Sequence, residues 1–156
     1  MKKRIGLAFL AAALGAATLN PVAWEIQDVS AKAVKPGERF AVRLVARIEG
    51  GWHLYSLRQL PEGPIATRIW LAEGQPFELA GQIKAERPQL TQDPGFNMEL
   101  ESYEGEAVFT LTVRAAPTAP AGPQKLLVAA SYQACNDTLC LPPRTVMVEA
   151  PLEVKK

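Results

Sequence analysis

Apolar and polar residues alternate with a period of two along much of this chain. Phe40-Ala-Val-Arg-Leu-Val-Ala-Arg-Ile48 sends every second side chain to one apolar face, the pattern of a strand buried on one side. Ala107-Val-Phe-Thr-Leu-Thr-Val113 repeats it with β-branched and aromatic residues, which suit a pleated, half-buried surface. Further strands are predicted over residues 52–56, 67–71, 77–83, 125–133 and 145–149. The breaks between them are Val34-Lys-Pro-Gly-Glu38, Gly50-Gly51 and Pro61-Glu-Gly-Pro64, where Pro and Gly supply turn angles. Residues 86–99 are expected to be irregular, and 115–123 form a Pro/Ala-rich connector. No segment after the N-terminus carries a helical period. Seven or eight short, turn-punctuated strands predict an all-β antiparallel sandwich, with an up-and-down barrel as the alternative. Trp24, Trp52 and Trp70 are expected in its core.

The N-terminus breaks this pattern. Met1-Lys-Lys-Arg4 precedes the apolar run Ile5–Leu14 and the small residues Gly15-Ala-Ala17, which together read as a cleaved secretory signal. The run falls short of the roughly 20 residues a bilayer span needs. Cleavage is expected after Ala17, with Ala23 as the alternative. The chain has 17 Lys and Arg against 16 Asp and Glu. Losing Lys2, Lys3 and Arg4 takes the formal charge from +1 to −2. A nearly neutral chain with no basic stripe points away from nucleic acid, and no later segment is long and apolar enough to span a membrane. One domain over residues 20–151 is expected, with a short tail at 152–156, in an exported, periplasmic monomer.

Export matters for the only two cysteines, Cys135 and Cys140, because thiols brought together in an oxidising compartment tend to pair. They flank Asn136-Asp-Thr-Leu139, a four-residue hairpin loop of turn-forming composition. Opposed Cβ atoms in a hairpin lie about 4.5–5.5 Å apart, against about 3.8 Å in a relaxed disulfide. Closing so short a loop removes little chain entropy, so the pair reads equally well as a hairpin staple or as a labile exchange site. A zinc site would need more ligands than two cysteines and a distant His53. His53, the only histidine, is expected as a solvated strand residue that tunes a cysteine only if the fold brings it near. Phe96, an apolar residue in a polar loop, reads by itself as a loop anchor, and Pro142-Pro143 forbids a central strand after Cys140.

Tyr132-Gln-Ala-Cys-Asn-Asp-Thr-Leu-Cys-Leu-Pro-Pro-Arg144 resembles the redox motif of the N-terminal periplasmic domain of the thiol:disulfide interchange protein DsbD. Gly51-Trp-His-Leu-Tyr-Ser56 and Gly63-Pro-Ile-Ala-Thr-Arg-Ile69 resemble two other recurring segments of that family. Asp93-Pro-Gly-Phe96, followed by Tyr103-Glu-Gly105, resembles its cap region. The four segments keep family order from about residue 20 to 151.

The resemblance implies an immunoglobulin-like β-sandwich whose Cys135–Cys140 pair cycles between dithiol and disulfide. Electrons would come from a thioredoxin-like periplasmic or membrane-tethered partner. They would pass to periplasmic thiol–disulfide proteins, including cytochrome c maturation factors, without metal or organic cofactor. By that resemblance Cys140 forms the mixed disulfide and Cys135 resolves it, Phe96 covers the pair, Tyr55 walls the pocket, and Asp93 and Asn97 belong to the cap. The activity would be that of a protein-disulfide reductase component. The sequence departs from the full transporter in carrying neither its membrane domain nor its thioredoxin-like domain, so the reductant is expected on another polypeptide. The best-known version of the motif has one more residue between its cysteines, and acidic residues where Pro94-Gly95 stand. A non-catalytic envelope protein-binding module with a structural disulfide is the competing expectation.

Overall fold

The computed structural model describes residues 19–156; the expected signal segment, 1–17, lies outside the described residues. Thirteen strands follow one another: β1 (Val22–Val29), β2 (Ala33–Val34), β3 (Arg39–Ile48), β4 (His53–Tyr55), β5 (Arg68–Leu71), β6 (Phe77–Leu79), β7 (Lys84–Ala85), β8 (Gln89–Asp93), β9 (Met98–Glu104), β10 (Glu106–Ala115), β11 (Gly122–Tyr132), β12 (Ala134–Cys135) and β13 (Arg144–Val154). They build one sheet in the order β1-β3-β10-β6, with β7 also on β10, and a second in the order β2-β13-β11-β5. A third, β12-β4-β9-β8, carries the cysteines. All pairings are antiparallel except the short β2–β13 contact. The fold is an all-β, immunoglobulin-like sandwich, as expected.

The period-two pattern explains the two large sheets. Phe40, Val42, Leu44 and Ala46 of β3 and Ala107, Phe109, Leu111 and Val113 of β10 are buried, as are Leu126, Val128, Ala130 and Tyr132 of β11. These inner faces meet in one apolar cluster. Trp24 of β1 bridges the sheets, its ring 5.7 Å from Phe109 and 5.5 Å from Tyr132. Phe109 is wholly buried; burying a side chain of that size stabilises a fold by about 1.5–3 kcal/mol.

The third sheet is made by strands that leave the other two. The chain runs from β9 into β10 through Gly105, whose φ of 69° is the left-handed backbone glycine adopts without strain. It runs likewise from β11 into β12 across Gln133. That side chain accepts a hydrogen bond from Ile65 N at 3.3 Å and donates one to Leu141 O at 3.3 Å. The crossover therefore delivers Cys135 to the edge of β4.

Three expectations are corrected. Residues 86–99 contain β8 and the start of β9. β8 exposes four of its five residues, so it carries no apolar alternation to read. The strand expected over 77–83 ends at Leu79, where pairing passes to the short β7. Trp70 is 39% exposed on the edge strand β5, because the core takes the alternate residues Ile69 and Leu71.

Candidate redox site

Cys135 and Cys140 are joined by a disulfide across a Cα separation of 4.1 Å. Their loop is closed by Asn136 N donating to Leu139 O at 2.9 Å. Asn136 Oδ1 accepts from Thr138 N at 2.9 Å, Thr138 Oγ1 at 3.0 Å and Leu139 N at 2.9 Å. One amide oxygen thus orders the turn, which is what favours Asn at such positions. Leu141 N returns to Ala134 O at 2.9 Å, and Pro142-Pro143 then interrupts pairing until β13 begins.

The two sulfur-bearing residues differ sharply in exposure. Cys135 is 1% exposed, packed with Tyr55 and Leu100 and flanked by Leu60, Phe96 and Met98. Cys140 is exposed. Of the two, only Cys140 reaches the surface.

The cap is the turn between β8 and β9, and Asp93 holds it. The residue is 8% exposed. Its Oδ1 accepts from Gly95 N at 2.8 Å and Phe96 N at 3.1 Å, and its Oδ2 accepts from Tyr55 Oη at 2.7 Å. A Cβ on Gly95 would stand 3.2 Å from the same Oδ1, so the turn is tight as well as bonded. Phe96 packs edge-on to Tyr55, ring centres 6.2 Å apart. Burial, followed by the bond to Asp93 and its charge, raises the Tyr55 hydroxyl above the usual phenol range. Tyr55, Asp93, Gly95 and Phe96 face Cys140 and residues 136–139 across a cleft of about 200 Å³.

Five of the six residues singled out from sequence thus meet at one place: Cys135, Cys140, Phe96, Asp93 and Tyr55. Asn97 is exposed in the cap turn with φ 51°, a backbone shape Asn tolerates, and is not among the residues lining the cleft. Sequence reasoning expected a solvated His53, which is instead largely buried, its side chain 16% exposed. Its ring lies 5.1 Å from Tyr55 edge-on, with Nε2 3.1 Å from Tyr55 Oη and 3.7 Å from Asp93 Oδ2. The available signal was its place two residues before Tyr55, on the same strand face.

With this geometry in hand, comparison with known proteins is informative. The sequence matches the N-terminal domain of the thiol:disulfide interchange protein DsbD over residues 22–152. The chain belongs to that family. Solved structures that resemble it include two N-terminal domains. One is the reduced N-terminal domain of Neisseria meningitidis DsbD, 18% identical, covering 80% of this chain and 82% of that one with a TM-score of 0.51. The other is the N-terminal periplasmic domain of ScsB from Proteus mirabilis, 15% identical, covering 85% of this chain and 44% of that one with a TM-score of 0.49. No curated protein matches the sequence. At such identities the DsbD structure speaks for the fold. The family match and the disulfide together make this a thiol–disulfide exchange domain. Among the described residues no helix is long and apolar enough to cross a membrane.

Proposed function

We propose that the chain is a periplasmic electron shuttle working through Cys135–Cys140 between a thioredoxin-like donor and periplasmic acceptor proteins. The observation that carries this is the asymmetry of the pair: an exposed Cys140 beside a buried Cys135, under an aromatic cap. A donor thiolate attacks Cys140 Sγ. The Cys135–Cys140 bond breaks, its electron pair leaves on Cys135, and a mixed disulfide forms through Cys140. A second donor thiolate then attacks the donor sulfur of that bond and releases the dithiol. Transfer to an acceptor disulfide runs the same steps in reverse, with Cys135 resolving. The cap, 93–98, and the hairpin tip, 136–139, form the rim a partner must engage.

The first test is the reduction potential of the pair, by equilibration in glutathione or dithiothreitol buffers with thiol alkylation as readout. A value above about −300 mV is expected of an exchange site. A value well below that marks a resistant staple and sinks the shuttle. Trapping is the second test: Cys135→Ser should accumulate a mixed disulfide with a thioredoxin-like protein, and Cys140→Ser should not.

A further inference from the structure

Exchange leaves a problem at Cys135. When Cys140 is attacked, negative charge departs onto a sulfur that is 1% exposed, among apolar side chains where an anion is costly. The strand register supplies an answer. Cys135 pairs with Cys140 on one side and with His53 on the other, and His53 pairs in turn with Glu104. Directly opposed residues in antiparallel strands point to the same face, with Cβ atoms about 4.5–5.5 Å apart. Cys140, Cys135, His53 and Glu104 therefore form one row on one face, with His53 directly opposite the buried cysteine.

The hydrogen bonds determine which ring nitrogen is available. The single Tyr55 hydroxyl proton is donated to Asp93, so that hydroxyl oxygen accepts from His53 Nε2–H. This leaves Nδ1 as the nitrogen that gains or loses a proton. The charged and titratable groups around the ring are Tyr55 on its own strand, Cys135 from β12, Glu104 from β9, Asp93 at the end of β8 and Asp137 from the hairpin tip. All but Cys135 line the same 60 Å³ cavity as His53. The three carboxylates place negative charge on the walls of the cavity that the ring lines.

We infer that His53 is the proton partner of Cys135, an inference that rests on the exchange reading above. As the disulfide bond breaks, the imidazolium gives its Nδ1 proton to the departing Cys135 sulfur. When Cys135 later attacks a mixed disulfide at Cys140, neutral Nδ1 takes the proton back and the partner leaves as its thiolate. Protons and electrons balance, and the only co-reactant is the attacking thiol.

The test is reduction of the oxidised protein by dithiothreitol between about pH 5 and about pH 9, the range over which histidine charge can change. Rates are divided by the concentration of attacking thiolate. Because His53 is the only histidine, NMR gives its titration midpoint independently. The corrected rate should fall about a hundredfold as pH rises through that midpoint, the scale of general acid assistance at its low end. His53→Gln should abolish the step. A flat wild-type profile across the midpoint overturns the inference, and that arm needs no variant. A step that persists in folded His53→Gln overturns it too. So does a step that vanishes near about 0.5 M salt, since steering of an incoming anion is screened far more than a buried pairing. A small dithiol replaces the protein partner here, so a low reduction potential would sink the shuttle while leaving this coupling measurable.

Discussion

A single carboxylate organises the cap. Asp93 accepts bonds from two cap amides and from Tyr55, and stands beside His53. Asp93→Ala releases the turn and removes the acceptor of the Tyr55 hydroxyl proton, leaving that hydroxyl only its contact with His53 Nε2, a loss of about 1–3 kcal/mol. It should speed reduction of the disulfide by small thiols about tenfold in stopped-flow assays, and Phe96→Ala should do the same by removing the cover itself. A variant as slow as wild type would remove the cap from the explanation. The tyrosines make a separate prediction. Tyr55, Tyr103 and Tyr132 are all raised from the usual phenol range, each first by burial. For a group whose folded pKa is raised, stability is fully present below the unfolded value, about 10, and is lost as pH climbs toward the folded value. Alkaline unfolding should therefore begin above about pH 10, and tyrosinate absorbance should appear together with loss of β-sheet circular dichroism rather than before it. Of these residues, Asp93 and Phe96 were legible through the resemblance of Asp93-Pro-Gly-Phe96 to a family segment, while the local turn signal showed only an irregular stretch. His53 was not, since its neighbours come from three other strands.

Among elements, the hairpin tip sets how readily the disulfide opens. Asn136 Oδ1 holds Thr138 and Leu139 in the turn that brings the two cysteines together. Asn136→Ala loosens that turn by about 1 kcal/mol, so the thiols meet less often. The potential should rise by about 20 mV, at about 30 mV per 1.4 kcal/mol for a two-electron couple; an unchanged potential would show that the turn contributes nothing to closure. Legibility varied between strands for a physical reason. β3, β10 and β11 bury every second residue, and their alternation is plain. β8 is exposed over most of its length, and β9 sets Glu99, Glu101 and Glu104 among its buried residues, so the charge reads as loop. β1 was passed over although Val22, Trp24 and Ile26 alternate in it.

Stability and chemistry are separated across the whole molecule. The core joins the two large sheets, and the disulfide lies at the end of the third. A six-residue loop sits at the weak end of disulfide stabilisation, about 2 kcal/mol. Phe109→Ala, in the middle of β10, should cost about 3–5 kcal/mol. Cys135→Ser with Cys140→Ser should therefore remain folded and melt cooperatively, losing less than Phe109→Ala in denaturant titrations. The reverse order would make the disulfide a staple and favour the binding-module reading. The sequence by itself determined the all-β sandwich and the cysteine hairpin, because period-two burial and turn chemistry act between residues close in the chain. Only the tertiary structure decided that Cys135 is buried while Cys140 is open, that Asp93 ties the cap to Tyr55, and that His53 stands beside Cys135. Those facts depend on register between strands far apart in sequence, and a one-residue slip would turn each side chain to the opposite face.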